Sequence, residues 1–187
     1  MTFSRLSGPN PGHRLRLTAA ALAVAAGFVA PAHAAWVAVA FPRTDSTLRA
    51  AATDGQVIAV SGSKGTFGVS SDGGRTWRLS APSGGERLDF RGLALTGHGG
   101  AVLMSAGDGS EGRARLYRTD DLGGAWRLAF ETTRKGAFLD TVAFRVGRRG
   151  VALGDPLDGR WFLLETRDGG RAWTPMAADL PPLGEGE

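Results

Sequence analysis

The sequence predicts an all-β protein built of repeated four-stranded sheets, and three observations support this fold class. One motif, Ser/Thr-x-Asp-x-Gly-x-Thr/Ala-Trp, occurs three times, as SSDGGRTW at Ser70–Trp77, TDDLGGAW at Thr119–Trp126 and TRDGGRAW at Thr166–Trp173. The Trp residues of successive copies lie 49 and 47 positions apart. Short strand-like segments surround each copy, and nothing of helical period and length follows residue 34. Repeats of this size with Gly and aromatic signals are typical of β-propeller blades, so we predict about three blades, which is an incomplete propeller.

The first 34 residues have the parts of a secretory signal peptide. The basic segment MTFSRLSGPNPGHRLR precedes an uncharged stretch from Leu17 to Ala30, and Ala32-His33-Ala34 forms a small-residue cleavage site. The uncharged stretch of 14 residues is too short to span a bilayer. We therefore expect residues 1–34 to be removed on export, which leaves a periplasmic or secreted chain without stable membrane insertion.

The charge of the exported part is close to balanced. The whole chain has 22 Lys and Arg against 18 Asp and Glu, and the leader holds three of the arginines and no acid, which leaves 19 basic against 18 acidic residues. This balance argues against a nucleic-acid partner and against a membrane-surface role. Because the chain has no Cys, its stability in an oxidising compartment must come from packing and strand pairing.

We expect residues 35–187 to form blades at about residues 44–86, 87–135 and 136–180. Each blade begins with a predicted innermost strand, at Leu48–Ala52, Phe90–Leu95 and Leu139–Phe144. The second strands are predicted at Gln56–Val60, Ala101–Ala106 and Gly150–Asp155. The third strand leads into the repeated motif, and the fourth begins at its Trp. Residues Val37–Phe41 are expected to be a lone outer strand that closes a neighbouring blade.

The repeated motif is predicted to be a hairpin turn in which four residues per copy have structural roles. These residues are Ser70, Asp72, Gly74 and Trp77, then Thr119, Asp121, Gly123 and Trp126, then Thr166, Asp168, Gly170 and Trp173. The Asp is placed to accept backbone N–H groups, and the Gly lies where the loop needs a positive φ. The Ser or Thr ties the incoming strand, while the Trp buries its ring between strands. Ala125 and Ala172 replace the Thr76 hydroxyl of the first copy, so one side-chain bond should be missing in the other two.

These turns resemble Asp boxes, also called BNR repeats, which occur in sialidases, sortilin-type receptors and the photosystem II assembly/stability factor family, all of them β-propellers. The stretch GVALGDPLDGRWFLLETRDGGRAW at Gly150–Trp173 is similar to exported bacterial relatives of the last family. The resemblance implies a non-catalytic scaffold that binds a protein or peptide. Members of that family are generally longer, so the chain is expected to be a truncated member or, alternatively, an arc that self-association completes.

Two groups of residues are candidates for partner binding. Arg49, Arg91 and Asp140 occupy the second position of the predicted innermost strands, which line the channel of a propeller. Arg at such a place suits carboxylate recognition, although the alternative that these side chains only meet solvent stays open. The second group is Asp155, Asp158 and Arg160, which form either a polar rim or the caps of a tight Pro-containing turn.

The sequence predicts no catalytic residues, no metal site and no cofactor. Gly107-x-Gly109-x-x-Gly112 has the spacing of a dinucleotide fingerprint, but a strand follows it where a helix is required. Without Cys, and with His98 as the single His after the leader, zinc ligation and Ser-His-Asp catalysis are disfavoured. Sialidase-like glycoside hydrolysis is the enzymatic alternative, because sialidases have Asp boxes. The only Tyr, Tyr117, lies on a third strand, where a packing role is favoured over a nucleophilic one.

Overall fold

The computed structural model describes residues 38–42, 45–145 and 148–176, and these contain three antiparallel sheets of four strands each. Sheet 1 consists of β1 (Leu48–Thr53), β2 (Ile58–Gly62), β3 (Phe67–Ser70) and β4 (Arg78–Ser80). Sheet 2 consists of β5 (Asp89–Gly97), β6 (Gly100–Ala106), β7 (Arg115–Thr119) and β8 (Arg127–Glu131), with a short 3₁₀ turn at Gly109–Glu111 between β6 and β7. Sheet 3 consists of β9 (Leu139–Phe144), β10 (Gly150–Leu157), β11 (Arg160–Thr166) and β12 (Thr174–Pro175). The predicted class, all-β with four-stranded propeller-type blades, is confirmed.

Within each sheet the strands pair in chain order, β1-β2-β3-β4 in sheet 1 and equivalently in the other two. The predicted signal peptide, residues 1–34, lies outside the described residues. In the part of the chain that the structure describes, no helix has the length and apolar character needed to cross a bilayer.

The second strand of sheet 1 begins at Ile58, two residues later than predicted. The carboxylate of Asp54 accepts the backbone N–H groups of Gln56 at 3.0 Å and Val57 at 2.9 Å. Because this turn uses both N–H groups, neither residue is available to the strand ladder, and the connection is longer than the residue types suggest.

The segment before β1 differs from the prediction of a lone outer strand over Val37–Phe41. Residues 38–42 contain no strand, and Val37 lies outside the described residues. The Phe41 ring instead meets the Trp77 ring edge to face, with centroids 5.3 Å apart. A Cβ at Gly68 would lie 2.8 Å from Cε2 of Phe41, so the absence of a side chain there makes room for this ring. The segment therefore stabilises sheet 1 by packing rather than by strand pairing.

The Gly-Asp-Pro stretch of sheet 3 also differs from the tight Pro-containing turn considered above. Asp155 and Pro156 lie within β10, at a register shift between Gly154, which pairs with Phe162, and Leu157, which pairs with Arg160. Pro lacks an N–H group and is tolerated at such an irregularity. The turn follows at Asp158 and Gly159, with φ of 53° and 69°, the backbone of a two-residue hairpin loop.

Two apolar clusters join the sheets, and sheet 2 contributes to both. Leu103 and Tyr117 face sheet 1, while Met104 and Leu116 face sheet 3. The first cluster is Ala59, Phe67, Val69, Leu88, Phe90, Leu93, Ala101, Leu103 and Tyr117. The second is Val102, Met104, Ala114, Leu116, Leu139, Val142, Ala152, Leu164 and Trp173. Alternate residues of β6 thus point to opposite faces, as the two-residue period of a strand requires, and the middle sheet is buried on both sides.

Candidate functional site

The three repeated turns share one hydrogen-bond arrangement. In the first, the Ser70 hydroxyl donates to Oδ1 of Asp72 at 2.8 Å and accepts the N–H of Gly74 at 2.8 Å. Thr119 and Thr166 do the same in the other turns, with donor distances of 2.6 and 2.8 Å to the Asp. Their hydroxyl oxygens accept the N–H groups of Gly123 at 2.9 Å and Gly170 at 3.0 Å. Each hydroxyl thus links the end of the third strand to the turn that follows it.

The Asp carboxylate of each turn also accepts the backbone N–H of the residue four positions later. These N–H groups belong to Thr76 at 2.9 Å, Ala125 at 2.9 Å and Ala172 at 3.1 Å. Gly74, Gly123 and Gly170 have φ of 87°, 89° and 87°, a region that favours glycine. The three Asp carboxylates therefore accept hydrogen bonds from their own turns, which is a structural role.

The first turn has a bond that the others lack, as the Thr-to-Ala differences indicate. The Thr76 hydroxyl donates to Oδ2 of Asp72 at 2.6 Å. This bond, then the Thr76 N–H and the Ser70 hydroxyl, lower the pKa of Asp72 to about 2. The pKa of Asp121 is also lowered, by the Thr119 hydroxyl and then the Ala125 N–H. The pKa of Asp168 is lowered as well: burial raises it, but the N–H groups of Ala172 and Arg171, the Thr166 hydroxyl and the charge of Arg148 together outweigh burial.

The Trp of each turn packs edge to face on a Phe, and its N–H has two kinds of acceptor. Trp77 and Trp173 donate to the carbonyls of Gly74 at 3.0 Å and Gly170 at 3.2 Å, within their own turns. Trp126 instead donates to the Ser80 hydroxyl of sheet 1 at 3.2 Å, and its ring meets Phe67 with centroids 5.0 Å apart. The second turn therefore fastens sheet 2 to sheet 1.

The candidate binding residues of the innermost strands lie on equivalent backbone irregularities. In sheet 1 the register shifts between Leu48 and Ala50, so Arg49 is the extra residue of a β-bulge. Arg91 and Asp140 are skipped in the same way in β5 and β9. A bulge re-aims the side chain that it carries, and bulges are enriched next to functional sites. We call the strand ends with Arg49, Arg91 and Asp140 the bulge face, and the opposite ends, with Asp72, Asp121 and Asp168, the Asp-box face.

Glycine makes two of these bulges sterically feasible. A Cβ at Gly62 of β2 would overlap the Thr47 carbonyl oxygen, and one at Gly154 of β10 would overlap the Phe138 carbonyl oxygen. Each glycine lets the second strand approach the backbone just before the bulge. The Gly of the Gly-Asp-Pro stretch, Gly154, is therefore required because a larger residue would clash with the Phe138 carbonyl.

The bulge face brings Arg49 and Arg91 together through an acid that sequence reasoning missed. Asp89 lies at the start of β5, and its Oδ1 accepts from Nε of Arg49 at 3.1 Å while its Oδ2 accepts from Nε of Arg91 at 3.1 Å. The three side chains are partly exposed, at 38%, 51% and 26% for Arg49, Arg91 and Asp89. The hydrogen bonds to Asp89 come from the Nε atoms, and no described hydrogen bond engages the terminal Nη groups of either arginine.

A cleft of about 590 Å³ lies beside Asp89 on the same face. Charged residues dominate its walls: Glu86, Arg87, Asp89, Glu111, Arg113 and Arg115. Arg113 pairs with Glu111 at 3.0 Å, and Arg115 pairs with Glu131 at 3.3 Å. The cleft is therefore polar, with three arginines and three acids in its lining, and the excess of positive charge on this face comes from Arg49 and Arg91 beside it.

The remaining candidates lie on sheet 3 and do not join the arginine pair in any described contact. Asp140 and Asp155 interact with each other: burial and then the charge of Asp155 raise the pKa of Asp140. Asp158 forms an ion pair with Arg134 from the connection before β9, and Arg160 is exposed at the start of β11. The bulge face is thus cationic near sheets 1 and 2 and acidic at sheet 3.

The residues weighed above for catalysis or nucleotide binding lie in packed or turn positions. Tyr117 is buried, meets the Phe90 ring edge to face at 5.8 Å, and accepts from Nη1 of Arg115 at 3.3 Å. Gly107, Gly109 and Gly112 belong to the connection between β6 and β7, where a strand follows the 3₁₀ turn. Among the described residues, no group of three or more His, Cys, Asp or Glu side chains is arranged to hold a metal ion.

Comparison with known proteins finds similarity in fold but not in sequence family. No protein-family model matches the sequence, and no curated protein matches it. Two solved structures of YCF48 are similar. YCF48 from Cyanidioschyzon merolae is 19% identical with a TM-score of 0.56, over 73% of this chain and 41% of that one. YCF48 bound to D1 peptide is 14% identical with a TM-score of 0.54, over 70% and 39%.

An ancestral GH74 enzyme is similar to the same degree, with 13% identity and a TM-score of 0.52, over 71% of this chain and 18% of the enzyme. The chain therefore spans less than half the length of each of these three structures. At such low identity the similarity establishes the fold and no activity. The chain is a set of β-propeller-like blades.

Proposed function

We propose that this protein is a non-catalytic β-propeller scaffold that binds a peptide segment of another protein at the bulge face. One observation carries the proposal: Arg49 and Arg91 from adjacent blades converge on Asp89 beside an open, charged cleft. The similarity to YCF48, solved with a D1 peptide bound, supports a peptide as the kind of partner. Because the chain has a predicted secretory leader, we also propose that its partner is an exported protein.

The charge of the site favours an acidic or carboxylate-bearing peptide. Five arginines surround Asp89 and the cleft: Arg49, Arg87, Arg91, Arg113 and Arg115. The acids beside them are Glu86, Asp89, Glu111 and Glu131, the partner of Arg115, so the arginines exceed the acids by one. A guanidinium held at Nε presents its Nη donors as a planar fork, which matches the two oxygens of a carboxylate. A peptide with Asp or Glu side chains, or with a free C-terminus, therefore fits this face best.

Fluorescence anisotropy with three labelled ten-residue peptides, one acidic, one neutral and one basic, tests the proposal. We expect the acidic peptide to bind most tightly. The double variant Arg49→Gln/Arg91→Gln should weaken its binding by about tenfold or more, since hydrogen bonds between charged groups are the strong ones.

The matched control is Arg75→Gln/Arg167→Gln, which removes two exposed arginines from the turns of the Asp-box face. This variant has the same change in net charge, so it should bind the acidic peptide as wild type does. Equal loss in both double variants would reduce the effect to net charge and contradict a site at the bulge face. Equal binding of all three peptides would contradict the charge argument.

Glycoside hydrolysis is a second candidate, and one observation favours it. Asp140 and Asp155 interact on the bulge face, and the pKa of Asp140 is raised. Glycosidases commonly use two carboxyl groups, of which one has a raised pKa. The scaffold proposal predicts no release of reducing sugar from polysaccharides. Turnover that is lost in Asp140→Asn, with the fold intact, would replace the scaffold proposal by the enzymatic one.

A further inference from the structure

A second pocket lies at the opposite strand ends, on the Asp-box face between sheets 2 and 3. Its volume is about 490 Å³. It is lined by Thr96 and Gly97 at the end of β5 with His98 after them, by Arg118 and Asp120 at the end of β7, and by Arg148, Gly169 and Arg171 from the connections of sheet 3. None of these residues belongs to the bulge face, so the pocket is independent of the function proposed above.

Arg118 is the most unusual residue of this pocket, because its guanidinium is buried. The side chain is 6% exposed, which is rare for Arg unless it is paired. Nη1 donates to the carbonyls of Ala101, at 3.2 Å, and Thr119, and Nη2 donates to Asp120 at 2.6 Å. Burial lowers the pKa of Arg118, although the charge of Asp120 opposes this. The guanidinium is thus fixed in the pocket wall by backbone carbonyls and one acid.

The acid that balances Arg118 is shared. Oδ1 of Asp120 also lies 2.6 Å from Nη2 of Arg171, which comes from sheet 3. Arg127 is 4.0 Å from Oδ2. Among the described residues, the ion pairs of Arg118, Arg127 and Arg171 all end on this one carboxylate. The pocket therefore holds more positive charge than Asp120 neutralises.

Asp168 is a second acid beside the pocket, and the lining arginines Arg118, Arg148 and Arg171 still exceed Asp120 and Asp168 by one charge. The Asp168 carboxylate accepts from Thr166, Arg171 N–H and Ala172 N–H in its own turn. Arg148 reaches the Asp168 carbonyl oxygen at 3.3 Å rather than the carboxylate, and Arg171 reaches the same carbonyl at 2.8 Å. Both guanidinium groups are thereby positioned at the pocket by a neutral acceptor.

Two polar atoms at the pocket point to a ligand independently of the charge count. Thr96 Oγ1 and Arg118 Nε are buried and have no hydrogen-bond partner among the described residues. Buried polar groups are nearly always paired, so each such atom needs an explanation. A Cβ at Gly100 would overlap both Thr96 Oγ1 and Nη2 of Arg118, so the glycine leaves the space that these two groups occupy.

We propose that this pocket binds a small oxyanion, the phosphate or carboxylate group of a ligand, held by Arg118, Arg148 and Arg171. Planar guanidinium groups bind both kinds of oxyanion through paired N–H donors. The three arginines come from two sheets, so a bound oxyanion also links sheet 2 to sheet 3.

The test is an NMR titration of the ¹⁵N-labelled full chain with inorganic phosphate and, separately, with acetate, at constant ionic strength set by chloride. We expect saturable shifts of the Gly97, His98 and Gly169 amides with at least one anion. Shifts with phosphate alone identify phosphate-bearing ligands, shifts with acetate alone identify carboxylates, and shifts with both support the shared chemistry. Each of these three results supports the proposal.

The variant Arg148→Gln/Arg171→Gln should weaken anion binding about tenfold or more. It keeps the buried Arg118, so the packing of the pocket wall is left unchanged. The matched control is Arg75→Gln/Arg167→Gln, which removes the same charge outside the pocket lining; Arg167 is 68% exposed and pairs with Glu165. The control should bind as wild type does. Absence of saturable shifts at these amides with both anions would overturn the proposal, and so would equal affinities of the pocket variant and wild type.

Discussion

At the scale of single residues, the pKa of an Asp carboxyl group shifts in opposite directions in two different surroundings. Asp72 is surrounded by donors, so its ionised form is favoured and its pKa falls from 3.8 to about 2. Asp140 lies at an exposed strand position near Asp155, where partial desolvation and then the neighbouring charge disfavour its ionised form and raise its pKa. These shifts have opposite consequences for stability, because only a group that is easier to ionise in the fold stabilises the fold when charged.

The first prediction concerns acid unfolding. Because the folded pKa of Asp72 is below its ordinary value of 3.8, its contribution is present above that pH and is lost as the pH falls toward 2. Asp121 and Asp168 act in the same direction. We expect the thermal midpoint of the wild-type protein, measured by circular dichroism, to fall over this pH range. It should fall less in Thr76→Val, which lacks the hydroxyl that lowers the pKa of Asp72 most.

Thr174→Val, at an exposed position of β12, is the control and should keep the pH dependence of wild type. A Thr76→Val protein with an unchanged pH dependence would contradict the role of the hydroxyl.

The second prediction concerns Asp140. Its raised pKa means that ionisation weakens the fold as the pH rises through the folded pKa, whereas the protonated form at low pH carries no such penalty. Asp140→Asn should therefore unfold at a higher temperature than wild type at neutral pH, and the difference should vanish in acid. An equal gain at both pH values would show that charge is not the cause.

At the scale of elements, the buried hydroxyl at the end of each third strand connects the strand to its turn. Thr119 is 1% exposed, and its oxygen is the acceptor of the Gly123 N–H. The strand and the turn are therefore expected to lose order together when this acceptor is removed. Ser70 and Thr166 have the same arrangement, so the three hairpins depend on one kind of bond.

The third prediction follows from that bond. Thr119→Val keeps the side-chain volume but leaves the buried Gly123 N–H without its acceptor, which should cost about 1–3 kcal/mol of unfolding free energy. Urea denaturation measures the loss. Thr119→Ser keeps the hydroxyl and is the control, so it should retain most of the stability. If Thr119→Val were as stable as Thr119→Ser, the hydroxyl would not be what holds the turn.

At the scale of the whole molecule, stability is distributed over two interfaces that share the middle sheet. Leu103 and Met104 are neighbours in β6, and both are fully buried, yet they belong to different apolar clusters. In repeat architectures each unit is stabilised by its neighbours, so the two interfaces are expected to weaken separately.

The fourth prediction uses this pair. Leu103→Ala and Met104→Ala should each cost about 2–5 kcal/mol, because each leaves a cavity in a packed interface. Hydrogen exchange should separate them: Leu103→Ala should expose the amides of sheet 1 first, and Met104→Ala those of sheet 3. Each variant is the control for the other. The same exchange pattern in both would show that the three sheets unfold as a single unit.

The sequence by itself determined the blades and their turns, because these depend on near neighbours in the chain. The hydrogen bonds of the Asp72, Asp121 and Asp168 carboxylates reach residues at most four positions away, so Ser70–Trp77 and its two copies specify their own geometry. Alignment of the three repeats on their shared motif likewise identified β9 at its observed bounds.

Only the tertiary structure decided which side chains meet. Arg49 and Asp89 are 40 positions apart, and Arg171 and Asp120 are 51 apart, so no local pattern pairs them. Their contacts depend on how neighbouring sheets pack, which the apolar clusters set. The bulges at Arg49, Arg91 and Asp140 are also invisible to residue types, because a register shift is a property of two paired strands. The sequence singled out Arg49 and Arg91, whereas Asp89 and the arginines of the pocket on the Asp-box face became candidates only through the packing of one sheet against the next.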